Sequence, residues 1–213
     1  MKRSTVRPKS DPAQAATTTV GGAEFHLADL LDCLGRWARS AQFTRGLNPA
    51  QWESLRYLER ANRFSRTPGA LAKYLGTTRG TASQTVRALV QKGYLSRIQD
   101  SQDRRVVSLE ITTAGAALLQ DDPLHGLDQT LMSRLDSETA SAITESLSQV
   151  MACFQSAALG QSFGTCEHCG YYARGSGALP AYCKMNEAKL AADELASLCV
   201  NFIHRDVGSA AEA

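Results

Sequence analysis

Apolar residues recur along most of this chain at steps of three and four, and the rhythm changes to alternation only once. The first run, EFHLADLLDCLGRWARSAQF, puts Leu27, Leu30, Leu31, Leu34 and Trp37 on one stripe. It predicts an amphipathic helix with Cys33 beside the stripe as a small buried hydrophobe. The second run, LNPAQWESLRYLERAN, predicts a helix capped by Asn48, with Pro49 in its first turn and Trp52, Leu55 and Leu58 facing inward. TPGALAKYLG is a short third helix closed by Gly76. TTRGTASQTVRALVQKG is a fourth, with Ala82, Val86, Leu89 and Val90 on its apolar face and Lys92 and Gly93 at its end. YLSRIQDSQDRRVVSLEIT then alternates on either side of a polar, turn-prone centre, which is the pattern of a β-hairpin. Helices followed by a hairpin in this order predict a winged helix-turn-helix, whose second motif helix enters a DNA groove.

Helical periodicity then returns. TAGAALLQDD is interrupted at Pro123 and HGLDQTLMSRL resumes. Asp136 or Ser137 caps SETASAITESLSQVMACFQSAAL, where Ile143, Leu147, Val150, Met151 and Phe154 form a stripe and Cys153 reads as a packing residue. Apolar-faced helices on both flanks of a winged helix predict a homodimer, which reads two half-sites of a pseudo-palindromic operator. The expected fold is therefore mainly α with a small β-wing. Residues 1–22 are expected to be a disordered basic tail, and 23–46 with 113–158 a helical dimerisation region. Residues 47–112 are the winged helix-turn-helix DNA-binding domain, 159–206 a cysteine-rich metal-binding module, and 207–213 a flexible tail.

Charge sharpens this picture. The chain carries a net +2, but between Arg36 and Glu110 fourteen Lys/Arg face five Asp/Glu, whereas from Ile111 onward five face twelve. The basic middle coincides with the winged helix and fits double-stranded DNA as its polyanionic partner. On the fourth helix Arg79, Thr81, Ser83, Gln84 and Arg87 fall off the apolar stripe. Arg and Gln are the side chains that read guanine and adenine edges, while Ser and Thr suit phosphate oxygens. Arg97 and Arg104 add phosphate contacts. Arg105 at the wing tip is placed for the minor groove or backbone, with Asp103 orienting its guanidinium. No Gly-rich phosphate loop, Ser-His-Asp order or HExxH occurs, so an enzyme is not expected. The chain has no apolar run of membrane-spanning length, and its N-terminus lacks the apolar core of a secretory signal. A cytoplasmic, nucleoid-associated protein with reduced thiols is the expectation.

These residues resemble the MarR family of bacterial transcription regulators over about residues 25–158. Asp103, Arg105, Ile111, Thr112 and Gly115 fall on the family's wing pattern, and TTRGTASQTVRALVQKGYLSR looks like its recognition helix running into the first wing strand. The resemblance implies a DNA-binding regulator that holds a small-molecule effector in the crevice between its DNA-binding lobe and its dimer helices.

The resemblance ends before Cys166, Cys169, Cys183 and Cys199, spaced C-x2-C-x13-C-x15-C. ARGSGALP reads as a loop, and NEAKLAADELASLC as a helix that brings the fourth cysteine back. So short a segment has too little core to hold its shape, and a metal bound by four thiolates supplies the missing free energy. Structural zinc ordinarily takes two close cysteine pairs, and only the first pair is close here. Four separated cysteines suit a [4Fe-4S] cluster, each iron taking one thiolate. Their spacing also resembles that of high-potential iron–sulfur proteins. Tyr171, Tyr172, Tyr182 and Phe202 are candidates to wall a cluster from water, and His168 and His204 are spare ligands. The cluster reading makes the segment a sensor of redox state, oxygen or iron, acting on DNA binding through the dimer helix it follows. The alternative is an effector-responsive regulator whose module holds a structural Zn2+. An electron carrier that borrowed a winged helix is a third reading, which the basic middle segment argues against.

Overall fold

Each helix of the basic middle begins on a short polar side chain that satisfies an otherwise unpaired backbone N–H. The amide of Gln51 donates to Asn48 Oδ1, and those of Ala70, Thr81 and Gly115 donate to the hydroxyls of Thr67, Thr78 and Thr112, at 3.0–3.1 Å. The structure is a computed structural model that describes residues 17–99, 107–156, 162–175 and 181–205. It divides into two compact units, Met1–Ala41 and Gln42–Ala213.

In the first unit, strands β1 (Thr17–Val20) and β2 (Ala23–His26) pair antiparallel, with Val20 opposite Ala23. Gly21 and Gly22 make the turn at φ of 58° and 85°, the left-handed values that a two-residue hairpin needs and that glycine adopts without strain. The disordered tail expected for residues 1–22 is thus replaced by ordered structure at residues 17–22, because a β-branched run meets a Gly-Gly turn. Helix α1 (Leu27–Ser40) follows and buries none of its residues. Trp37 is 68% exposed and Leu34 is 51% exposed. Cys33, expected to be buried, is only half-buried and accepts a hydrogen bond from the Arg36 guanidinium at 3.1 Å.

The second unit is built on α2 (Pro49–Arg60), α3 (Pro68–Tyr74) and α4 (Arg79–Gln91). Trp52, Leu55 and Leu58 of α2 lie buried with Leu71, Val86 and Leu89, as the three- and four-residue spacing predicts. Gly76 and Gly93 close α3 and α4 with φ near 60° and 76°. Strands β3 (Leu95–Gln99) and β4 (Val107–Ile111) pair antiparallel and form the wing, Leu95 opposite Ile111. Leu109 completes the core from the wing. Helix α5 (Thr113–Leu119) starts where Thr112 donates to the Gly93 carbonyl at 2.6 Å, tying the wing's end to the end of α4. Helices α6 (Pro123–Met132) and α7 (Ser137–Ser156) follow, with Asp136 rather than Ser137 capping α7. Ile143, Leu147, Met151 and Phe154 of α7 are exposed in the single chain, and so is Cys153.

Beyond α7 the described residues form five short strands and two 3-10 turns. β5 (Gly164–Thr165) pairs with β9 (Leu198–Cys199), and β6 (Tyr172–Ala173), β7 (Tyr182–Cys183) and β8 (Ala188–Lys189) make a three-stranded sheet. The helix expected over 186–199 does not form. The segment is instead β8, a single 3-10 turn at Ala192–Glu194 and β9, with Glu187 in the left-handed region at φ 48°. Its apolar residues are shared between two cores, Leu190 in a small one beside the cysteines and Leu198 in the main one, which one helix could not serve.

Candidate functional site

Helix α4 presents the predicted reading face. Its buried side is Ala82, Val86 and Leu89, whereas Arg79, Thr81, Ser83, Gln84 and Arg87 are exposed. The Thr81 hydroxyl shares a 2.9 Å hydrogen bond with that of its N-cap, Thr78, which holds the start of the helix in a fixed shape. Thr78 itself was legible as a cap only from its position before the periodic run. Arg97 is exposed on β3 of the wing. Asp103, Arg104 and Arg105 lie outside the described residues. Lys92, though exposed, folds back on the Gly46 carbonyl and on Gln51 Oε1 and so ties the end of α4 to the start of α2.

The second candidate site gathers all four module cysteines around one small cavity with a mostly apolar wall. Cys166 opens a 3-10 turn, and the Cys169 amide donates back to its carbonyl at 3.1 Å, so the first pair forms a knuckle. Cys183 arrives on β7 and Cys199 on β9. Cys166, Cys169 and Cys199 are buried and Cys183 half-buried. Burial pushes the Cys166 thiol up, the Asn62 amide lowers it, and the charges of Cys199, Cys183 and Cys169 raise it again.

Two amides supply hydrogen bonds to sulfur. Asn62 Nδ2 donates to Cys166 Sγ and Asn186 Nδ2 to Cys183 Sγ, both at 3.3 Å. Neither was singled out by sequence. Tyr171, Tyr172 and Leu190 wall the cavity. Tyr182 and Phe202 do not line it; Phe202 is buried against Gly164, where a Cβ would lie 2.7 Å from its ring. His168 and His204 are exposed and turned to other work, His168 against the Thr165 hydroxyl at 2.8 Å and His204 edge-on to Phe202. Arg205 closes the knuckle from outside, donating to the carbonyls of Cys169 and Glu167 and lying over the Tyr172 ring.

Among the described residues no three His, Cys, Asp or Glu side chains converge tightly enough for one metal ion. A single tetrahedral zinc would draw its sulfurs to about 3.8 Å from one another, given Zn–S bonds of about 2.3 Å. In its chemistry the donor set would suit an iron–sulfur centre: four sulfurs, a mostly apolar wall and N–H donors to two of the sulfurs.

The module packs on the helices that carry α4. Leu198 and Val200 belong to the main core, and Leu198 forms a parallel bridge with Ala61 at the end of α2. Lys73 Nζ of α3 donates to the Val200 carbonyl at 2.5 Å, and Phe163 meets the Tyr74 ring, which stacks on Tyr57 at 4.2 Å. Arg63 holds the far side through Glu194 at 2.6 Å and the Lys189 carbonyl. The module thus has a direct seat on α2 and α3, a contact that the sequence did not announce.

Comparison with known proteins agrees with this architecture. Residues 45–106 match the model of the MarR family. The HTH-type transcriptional repressor YetL of Bacillus subtilis (strain 168) is 33% identical over 76 residues, which are 36% of this chain and 46% of that protein. The chain therefore spans about half the length of this curated relative. S. aureus MepR in complex with DNA superimposes with a TM-score of 0.52 at 24% identity, over 61% of this chain and 98% of that one. A MarR transcriptional regulator from Methanosarcina mazei Go1 does so with a TM-score of 0.54 at 24% identity, over 61% and 96%. The chain has the winged-helix fold of these proteins. Among the described residues no helix is long and apolar enough to cross a membrane.

Proposed function

We propose that this chain is a DNA-binding transcription regulator of the MarR type, acting as a homodimer and holding a [4Fe-4S] cluster on Cys166, Cys169, Cys183 and Cys199. The observation that carries the DNA reading is the exposed face of α4, where Arg79, Ser83, Gln84 and Arg87 stand off a fully buried stripe beside the wing. The relatives named above support it: one is a transcriptional repressor and another is seen with DNA. In this reading α4 enters the major groove, with Gln84 and Arg87 toward base edges and Thr81 and Arg97 toward phosphates. Arg104 and Arg105 join from the wing, with Asp103 orienting Arg105. Two copies would engage half-sites about 34–36 Å apart, one helical turn.

The gathering of four cysteines around one apolar cavity supports the cluster reading. A bound cluster would supply redox chemistry and sensitivity to oxygen. The chain's own contribution is to keep water from the sulfurs with Tyr171, Tyr172 and Leu190, and to donate N–H groups to two of them. The proposed activity is regulation of DNA binding by redox state, oxygen or iron supply.

One preparation tests both halves. Protein purified without oxygen should be brown, contain iron and acid-labile sulfide, and shift a duplex selected by it from a randomised pool. Arg87→Ala should lower the slope of log affinity against log salt by about 1 if Arg87 neutralises a phosphate, or relax one base position if it reads an edge. A colourless protein holding zinc would overturn the cluster, and an Arg87→Ala variant with unaltered affinity and sequence preference would remove α4 from the interface.

A further inference from the structure

Asn62 stands between the two candidate sites. It is a buried residue of the DNA-binding lobe, 2% exposed, on the two-residue step between α2 and the turn that leads into α3. Every polar group it offers is committed. Its Nδ2 donates to Cys166 Sγ at 3.3 Å, a partner 104 residues away, and its Oδ1 accepts the Ser65 amide at 2.9 Å. Its own amide donates to the Leu198 carbonyl at 2.9 Å, one residue before Cys199. Ser65 in turn accepts the Val200 amide on its hydroxyl at 3.3 Å and the Tyr57 hydroxyl on its carbonyl at 2.8 Å. A single side chain thus touches a cysteine sulfur at one end and shapes the turn before α3 at the other.

Resting on the cluster reading above, we infer that Asn62 is a positioning residue for the cysteine-held centre and the link through which the state of that centre reaches the helix-turn-helix. Two physical reasons combine. Hydrogen bonds to sulfur set how much negative charge an iron–sulfur centre carries comfortably, and so its potential. Loss of the centre releases Cys166 and Cys199, and with them the Leu198 and Val200 backbone that pins Asn62 and Ser65. The turn 62–67 then loses three of its anchors, and α3, which packs against α4, is held less firmly. Asn186 makes the same kind of bond to Cys183 but lies in the module, three residues from its partner. The two amides therefore separate tuning of the centre from transmission to the lobe.

The full-length protein, purified without oxygen and compared with its chelator-stripped form, provides the test. Asn62→Asp keeps the acceptor for Ser65 but replaces the sulfur donor with a carboxylate. It should lower the midpoint potential, speed oxygen-driven loss of the cluster at least tenfold, and alter the amide exchange of the turn and α3. Asn186→Asp should lower the potential while leaving the α3 response of the wild type. Ser65→Ala should leave the potential unchanged but shrink that response. In the wild type, stripping should speed exchange at Ser65 and the α3 amides at least tenfold. A wild-type potential and wild-type exchange in Asn62→Asp would reduce Asn62 to a loop cap, as would an α3 indifferent to stripping in the wild type. Wild-type protein without iron and sulfide would overturn the cluster reading itself and this inference with it, an outcome read before any variant is compared.

Discussion

Gly115 shows what one missing methyl group does for this fold. A Cβ there would lie 2.3 Å from the Tyr94 carbonyl oxygen and 2.9 Å from Ile111 Cγ2, and the first of these is backbone that has nowhere to move. The close approach lets Thr112 cap α5 and bond to the Gly93 carbonyl at once, so wing, α4 and α5 meet at one point. Gly115→Ala should cost about 1–3 kcal/mol through overpacking, measured by urea unfolding of the wild type and variant. An unaltered midpoint would mean that α5 shifts freely. The Ile111, Thr112 and Gly115 pattern was visible in the sequence, though its reason, a backbone-to-backbone contact, was not. Asn62 was invisible for a different reason. A polar residue just past a helix reads as an ordinary C-terminal residue, and nothing local announces a sulfur partner 104 positions later.

At the scale of elements, the periodic helices were the legible part. Asn48, Pro49, Trp52, Leu55 and Leu58 occupy the places in α2 that their spacing implied, since local capping and one buried face agree there. The segment 186–199 was misread because it is rich in helix-forming residues, and tertiary demands outweigh such propensity. Leu190 and Leu198 are drawn to different cores, and Arg63 grips the Glu194 carboxylate between them. Helix α7 carries an acid-sensitive start. The Thr139 amide and hydroxyl both donate to Asp136 at 2.8 Å, and these bonds hold its carboxyl below the ordinary range. A carboxylate whose pKa is lowered by folding stabilises fully above its unfolded value and loses that effect as pH falls through its folded value. The stability gap between wild type and Asp136→Ala should therefore be constant above roughly pH 5 and close on acidification, seen by circular dichroism melts across the range. A gap that persisted in acid would assign the cap to something other than the ionised carboxylate.

For the whole molecule, two apolar faces call for a partner: the α1 stripe with Leu34 and Trp37, and the α7 stripe with Leu147 and Met151. Leu147→Glu should convert a dimer to monomers in sedimentation at micromolar concentration and weaken binding to a two-half-site duplex far more than to a single half-site. A dimer that survives would move the interface off α7. The sequence made the module look like an appendage because its cysteines and its core fall on opposite sides of a composition change. In the folded chain Leu198 and Val200 lie in the same core as Trp52 and Leu71. That union bears on how the protein is made. Ser65 and the Val200 that seats on it are 135 residues apart, and a ribosome adding about 5–20 residues per second needs on the order of ten seconds to cover that distance. Throughout that interval the nascent winged helix has an open flank, and its hydrophobic core closes only once Leu198 and Val200 have emerged.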